Sequence, residues 1–177
     1  FHLGGNSMGG QIALTYAERY PKQIKSLLLL NSGGVRSAPD TALDRKVRTG
    51  QGNQLLVQSP KDYKKLYDFV MHRPPFVPGP ILNVMARARI ANFELERKIF
   101  QDIRSDSTEA RVKGLQIPTL IVWGKKDRVL HPRGAKILNR LLPRSEVFLL
   151  PGVGHLPQLE APEKVAKQYI QFTSKLR

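Results

Sequence analysis

The pentapeptide Gly5-Asn6-Ser7-Met8-Gly9 constrains this chain more than any other stretch. Residues 1–6 read as a buried strand that ends in a sharp turn. Residues 8–20 read as a helix, because Ile12, Ala13, Tyr16, Ala17 and Tyr20 recur at helical spacing and Pro21 ends the run. A G-x-S-x-G segment between a strand and a helix demands a strained turn that holds the serine side chain out at the carboxyl end of a sheet. Glycines are expected on both sides, where strand and helix pass too closely for a Cβ.

The pattern after this turn predicts a parallel sheet. Residues 24–30 form a short apolar run closed by Asn31-Ser32-Gly33-Gly34, the length and flanks of a strand buried on both faces. Strand, helix, strand is the repeating unit of an α/β fold. Residues 35–110 interrupt it. Helical stretches are expected at 60–69, 81–90 and 92–103, with Pro74, Pro75, Pro78 and Pro80 punctuating a turn-rich segment between them. The alternation resumes with a strand at 117–123, a helix at 131–142, a last strand at 145–150 and a closing helix at 162–176. The chain thus divides into a core segment at 1–34, an inserted helical cap at 35–110 and a second core segment at 111–177.

Composition narrows the class. With 41% hydrophobic and 24% charged residues, the chain has the make-up of a globular domain. No apolar run approaches the about 20 residues needed to span a bilayer. There is no cysteine, so neither disulfides nor thiolate metal sites contribute. The net charge is +15, and residues 111–177 hold 13 basic against 4 acidic side chains. The excess is spread out rather than packed in a dense run, which reads as a solvated basic surface. Contact with an anionic lipid interface is the second reading. No nucleic-acid motif accompanies the charge, so no nucleic acid is expected as a partner.

Ser7 is a weak nucleophile unless a base takes its proton. Of the four histidines, His2 falls inside the first strand, His72 in the Pro-rich part of the insertion and His131 at a helix start. Only His155, in Gly152-Val153-Gly154-His155, follows the final strand in a Gly-rich loop, at the sheet edge where active-site groups gather. An imidazole base needs a carboxylate to orient it. Asp127, after the 117–123 strand in Gly124-Lys125-Lys126-Asp127, is the candidate. The backbone N–H of Met8 is the candidate for one donor of an oxyanion hole.

These residues resemble the second half of α/β-hydrolases. "FHLGGNSMGG", "IPTLIVWGKKD" and "VGHLPQLEAPE" carry the likeness over nearly the whole chain, and the order Ser, Asp, His is that of this fold. "LYDFVMHRPPFVP" at 66–78 resembles the bacterial true lipases of family V, and more distantly the mammalian membrane-associated monoacylglycerol lipases. The resemblance implies a Ser7–Asp127–His155 triad and hydrolysis of small or lipid carboxylic esters without cofactor or metal. It suggests a secreted or membrane-associated protein in bacteria. It also implies that the family's first strands and His-Gly oxyanion loop precede Phe1. Residues 1–177 alone are then expected to be poorly soluble, because the first strand becomes an open apolar edge, and at least about 10²-fold slower than the parent, for want of one oxyanion donor. Carbon–carbon hydrolases of ring-cleavage products share Gly-Asn-Ser-Met-Gly-Gly. They typically carry an aromatic after the catalytic histidine, where this chain has Leu156.

Overall fold

A computed structural model describes residues 1–176. Strands β1 (His2–Asn6), β2 (Ser26–Leu30), β3 (Thr119–Gly124) and β4 (Ser145–Leu150) lie side by side in that order, all parallel. The α/β expectation therefore holds, with the strands in sequence order.

The apolar run of β2 explains why the sheet needs helices on both faces. Leu27 and Leu29 of β2, with Ile121 and Trp123 of β3, pack against Ala13, Leu14 and Ala17 of helix α1 (Met8–Arg19). Leu30 of β2, with Leu120 and Val122 of β3, points the other way, toward Val165 and Phe172. Side chains alternate along a strand, so a continuous leucine run fits only a strand covered twice. Each fully buried leucine contributes about 1.5–3 kcal/mol.

The segment between β2 and β3 holds α2 (Ala42–Arg48), α3 (Pro60–Val70), α4 (Gly79–Ala91), α5 (Phe93–Ser105) and the single turn α6 (Glu109–Val112). After β3 come α7 (Arg133–Leu141), the short α8 (Pro157–Glu160) and α9 (Pro162–Ser174), whose inner face carries Val165 and Phe172. The α2–α5 segment has its own apolar cluster, built on Leu43, Val57, Tyr63, Leu66, Val70 and Met71. Val129, two residues after Asp127, joins that cluster and fastens it to the carboxyl ends of the strands.

Several boundaries differ from the sequence reading. The β2 ladder begins at Ser26 rather than at residue 24, because Ile24 N–H turns back to Pro21 and Lys25 N–H to Phe1. Helix α4 starts at Gly79, with Pro80 in its first turn, where the missing N–H costs nothing. Helix α2 was not expected, having only Ala42, Leu43 and Val47 as apolar markers. Its signal was local: the Thr41 side chain accepts from Asp44 N–H while Asp44 accepts from Thr41 N–H, a reciprocal cap. No described helix is long and apolar enough to cross a membrane.

Candidate active site

Ser7 occupies the turn between β1 and α1 with φ 55° and ψ −120°. A non-glycine residue in such a conformation costs about 1–3 kcal/mol and needs its surroundings to hold it. Here the Ser7 N–H donates to Leu30 C=O at 3.0 Å. Its own carbonyl accepts from Gly10 at 3.0 Å, Gln11 at 3.2 Å and Gly33 at 2.8 Å. The expected crowding by glycine is only half right. A Cβ at Gly5 would overlap the Gly9 backbone and one at Gly10 would overlap the Ser32 side chain, whereas a Cβ at Gly9 would meet nothing within 4 Å. The close approaches are at Gly5 and Gly10, because the helix turns the Gly9 side outward.

Asp127 and His155 come from the loops after β3 and β4. His155 Nδ1 and Asp127 Oδ2 lie 2.9 Å apart, both side chains almost wholly buried. The carboxylate is heavily coordinated. Oδ1 accepts from the N–H groups of Val129 at 2.7 Å and Leu130 at 3.0 Å, and Oδ2 also accepts from Asn31 Nδ2 at 2.6 Å. An ionised carboxylate can only accept, so the contact puts a proton on His155 Nδ1 and leaves Nε2 able to take one. No hydrogen bond links the Ser7 hydroxyl to the imidazole, an arrangement common before substrate tightens a site.

Ser7, Met8 and His155 share one cavity of about 470 Å³, walled on the far side by Leu66, Met71, Met85, Phe100 and Ile103 of the inserted helices. Met71, just after α3, lies in this wall. Phe69 is instead buried under Arg128, Phe76 is 90% exposed, and Val77 lies outside the lining. A smaller adjoining cavity of about 140 Å³ also reaches Ser7 and Met8 and contains Asp44 and Arg104, which pair at 2.9 Å. Burial pushes the Asp44 carboxyl up. The Thr41 hydroxyl and N–H and the Arg104 guanidinium outweigh that and hold it below the usual carboxylate range. This pair's stabilisation is present at neutral pH and is lost as pH falls through that lowered value.

Three positioning residues carried no sequence signal strong enough to be singled out. Buried Asn31, at φ 41°, donates from Nδ2 to Asp127 and to Gly154 C=O while its Oδ1 accepts from Gly124 N–H, tying β2, β3 and the His155 loop together. Asparagine tolerates this backbone region better than most residues, and its place directly after an apolar strand was the one available hint. Asn6 Nδ2 donates to Leu30 C=O and to His155 C=O.

Glu160 accepts from the N–H groups of His72 at 2.7 Å, Arg73 at 3.0 Å and Gly154 at 2.9 Å, and His155 N–H donates to Val70 C=O at 2.8 Å. The end of α3 is thus pinned to the His155 loop. Glu160→Ala leaves three donors without their charged acceptor and should cost about 2 kcal/mol in urea unfolding, with Glu160→Gln losing less. Equal midpoints for all three proteins would show that the bonds contribute nothing.

Met8 N–H opens α1 and makes no hydrogen bond with a described group, as expected of a first-turn donor. No described group of three or more His, Asp or Glu side chains is arranged to hold a metal ion. The sequence profile of the alpha/beta hydrolase fold matches residues 1–162.

The chain belongs to the alpha/beta hydrolase family.

Among its relatives in the family, Lipase 1 of Psychrobacter immobilis is 42% identical over 98% of this chain and 55% of its own length. Monoacylglycerol lipase ABHD6 of Homo sapiens is 32% identical over 97% of this chain and 54% of its own. Among solved structures, a bacterial membrane phospholipase A superposes with a TM-score of 0.94 at 36% identity, covering 100% of this chain and 57% of that one. This alpha/beta hydrolase chain spans about half the length of the relatives it matches.

Proposed function

We propose that this chain carries the nucleophile, base and acid of a serine hydrolase that cleaves carboxylic esters, acylglycerol lipids among them. The observation that carries the reading is the buried His155–Asp127 contact at 2.9 Å, set beside a serine held at positive φ in the same cavity. In this reading Ser7 Oγ attacks the ester carbonyl while His155 Nε2 takes its proton. Asp127 Oδ2 stabilises the imidazolium through the Nδ1 proton. Met8 N–H donates to the oxyanion that forms. The alcohol leaves with a proton from Nε2, and water, deprotonated by the same nitrogen, then releases the acid. The apolar wall of Leu66, Met71, Met85, Phe100 and Ile103 suits an acyl chain, and the inserted helices act as a cap over Ser7. The lipases among the relatives support the substrate class.

The test uses a fluorophosphonate label and two substrates. Ser7 should take the label, and p-nitrophenyl butyrate should turn over while a ring-fission dienoate is left intact. Labelling with preferential dienoate cleavage would assign carbon–carbon hydrolysis instead, and absence of the label from Ser7 would overturn the nucleophile.

A further inference from the structure

Away from the apolar cavity, α7, β4 and the loop after β3 frame a second cleft, of about 1050 Å³. Lys125, His131, Arg133, Lys136 and Arg140 line it, and no Asp or Glu does. Arg133, Lys136 and Arg140 follow i, i+3, i+7 spacing, so they stand on one face of α7. Lys125, Arg133, Lys136 and Arg140 are exposed, and none takes part in an ion pair with a described residue. Some described cations elsewhere do find partners, as in Lys64–Asp68, Arg111–Asp106 and Lys175–Glu146. Glu109, attached to this wall, is held by the N–H and hydroxyl of Ser37 and does not line the cleft.

Four unpaired cations on one concave surface concentrate anions there. The floor between them is apolar, made by Ile137, Val147 and Leu149. Apart from the imidazole of His131, the lining offers no aromatic ring on which a nucleic-acid base could stack, which separates this groove from a single-strand channel. Cations above aliphatic side chains match an anionic phospholipid instead, phosphate outward and hydrocarbon beneath. Pro39 and His131 line both this groove and the smaller cavity that reaches Ser7, so the two adjoin.

We propose that this groove docks the chain on a bilayer of anionic phospholipid, with headgroup phosphates against Lys125, Arg133, Lys136 and Arg140. The docking stands on charge and shape alone; its use in bringing lipid esters to Ser7 rests on the function proposed above. Flotation through a density gradient with phosphatidylcholine vesicles and with phosphatidylcholine–phosphatidylglycerol vesicles tests it, since aggregated protein stays at the bottom.

The chain should bind the anionic vesicles only, and raising NaCl from about 0.05 to about 0.5 M should weaken binding at least about tenfold as the Debye length shrinks. The Arg133→Gln/Lys136→Gln/Arg140→Gln variant should lose at least about tenfold in binding, since each basic residue near such a surface is worth about fivefold. It should keep its circular-dichroism melt and its kcat/KM on soluble p-nitrophenyl butyrate. A control with the same charge change, Lys22→Gln/Lys164→Gln/Lys167→Gln, should bind nearly as the parent. Should the α7 triple variant fold poorly, Arg140→Gln alone should still lose about fivefold. Equal losses in both triple variants would reduce the effect to net charge and overturn the groove. So would indifference to anionic lipid, or tighter α7-dependent binding to an oligonucleotide.

Discussion

Ser7→Ala should abolish ester hydrolysis, lowering kcat by up to about 10⁶. The substitution removes the atom proposed to form the acyl-enzyme and leaves its surroundings in place. The Ser7 backbone contacts to Leu30, Gly10, Gln11 and Gly33 are all made by main-chain atoms, which alanine retains. Alanine bears the positive φ at a cost similar to that borne by serine, so the variant should fold with a near-parental melt. Residual turnover comes only from binding and the oxyanion donor. The measurement is kcat/KM on a short p-nitrophenyl ester, with the melt as control. A folded variant that kept a tenth of parental activity would place the nucleophile elsewhere.

Asp127→Asn should cost about 10⁴ in kcat. The geometry says why an isosteric change does so much. Oδ1 accepts from two backbone N–H groups, so the amide oxygen of an asparagine is drawn to that side. Its NH₂ then faces His155 Nδ1 and the Asn31 Nδ2 donor. The imidazole can pair with that NH₂ only by accepting at Nδ1, which puts its proton on Nε2, where it cannot receive one from Ser7. The clash with Asn31 adds a destabilisation of about 1–3 kcal/mol from opposed buried donors. Activity loss should therefore exceed what the melt accounts for, and a second substitution, Asn31→Asp, should not restore it, since a carboxylate at 31 meets the residue at 127 and not His155 Nδ1. Near-parental turnover in Asp127→Asn would mean that another carboxylate serves as the acid.

Much of this reading was already written in the linear chain. Residue periodicity is a local property, and it sufficed for the four strands, for α1 and for the long helices of the insertion. The leucines of β2 needed a sheet covered on both faces whatever lay around them. Ser7, Asp127 and His155 stood out because each follows a strand, and strand ends are legible from hydrophobic runs and turn residues.

Contacts between residues far apart in the chain were not legible, because no spacing rule encodes them. Asn31 reaches Asp127 across 96 positions, Asn6 reaches His155 across 149, and Glu160 reaches His72 across 88. Each is a polar side chain that looks like an ordinary loop residue until the fold brings donors to it. The same holds for the cavity walls. Phe69 and Met71 are near neighbours with similar hydrophobicity, yet the rotation at the end of α3 buries one beneath Arg128 and turns the other toward Ser7. The basic groove is a third case: the sequence shows only scattered lysines and arginines, and the packing of α7 beside β4 gathers five of the basic side chains, His131 included, into one cleft without a carboxylate. The sequence by itself determined the layered α/β architecture and the three residues offered for catalysis, since both rest on local pattern. Only the tertiary structure decided which side chains hold those three in place and where the charge collects, since both depend on the distances that folding sets.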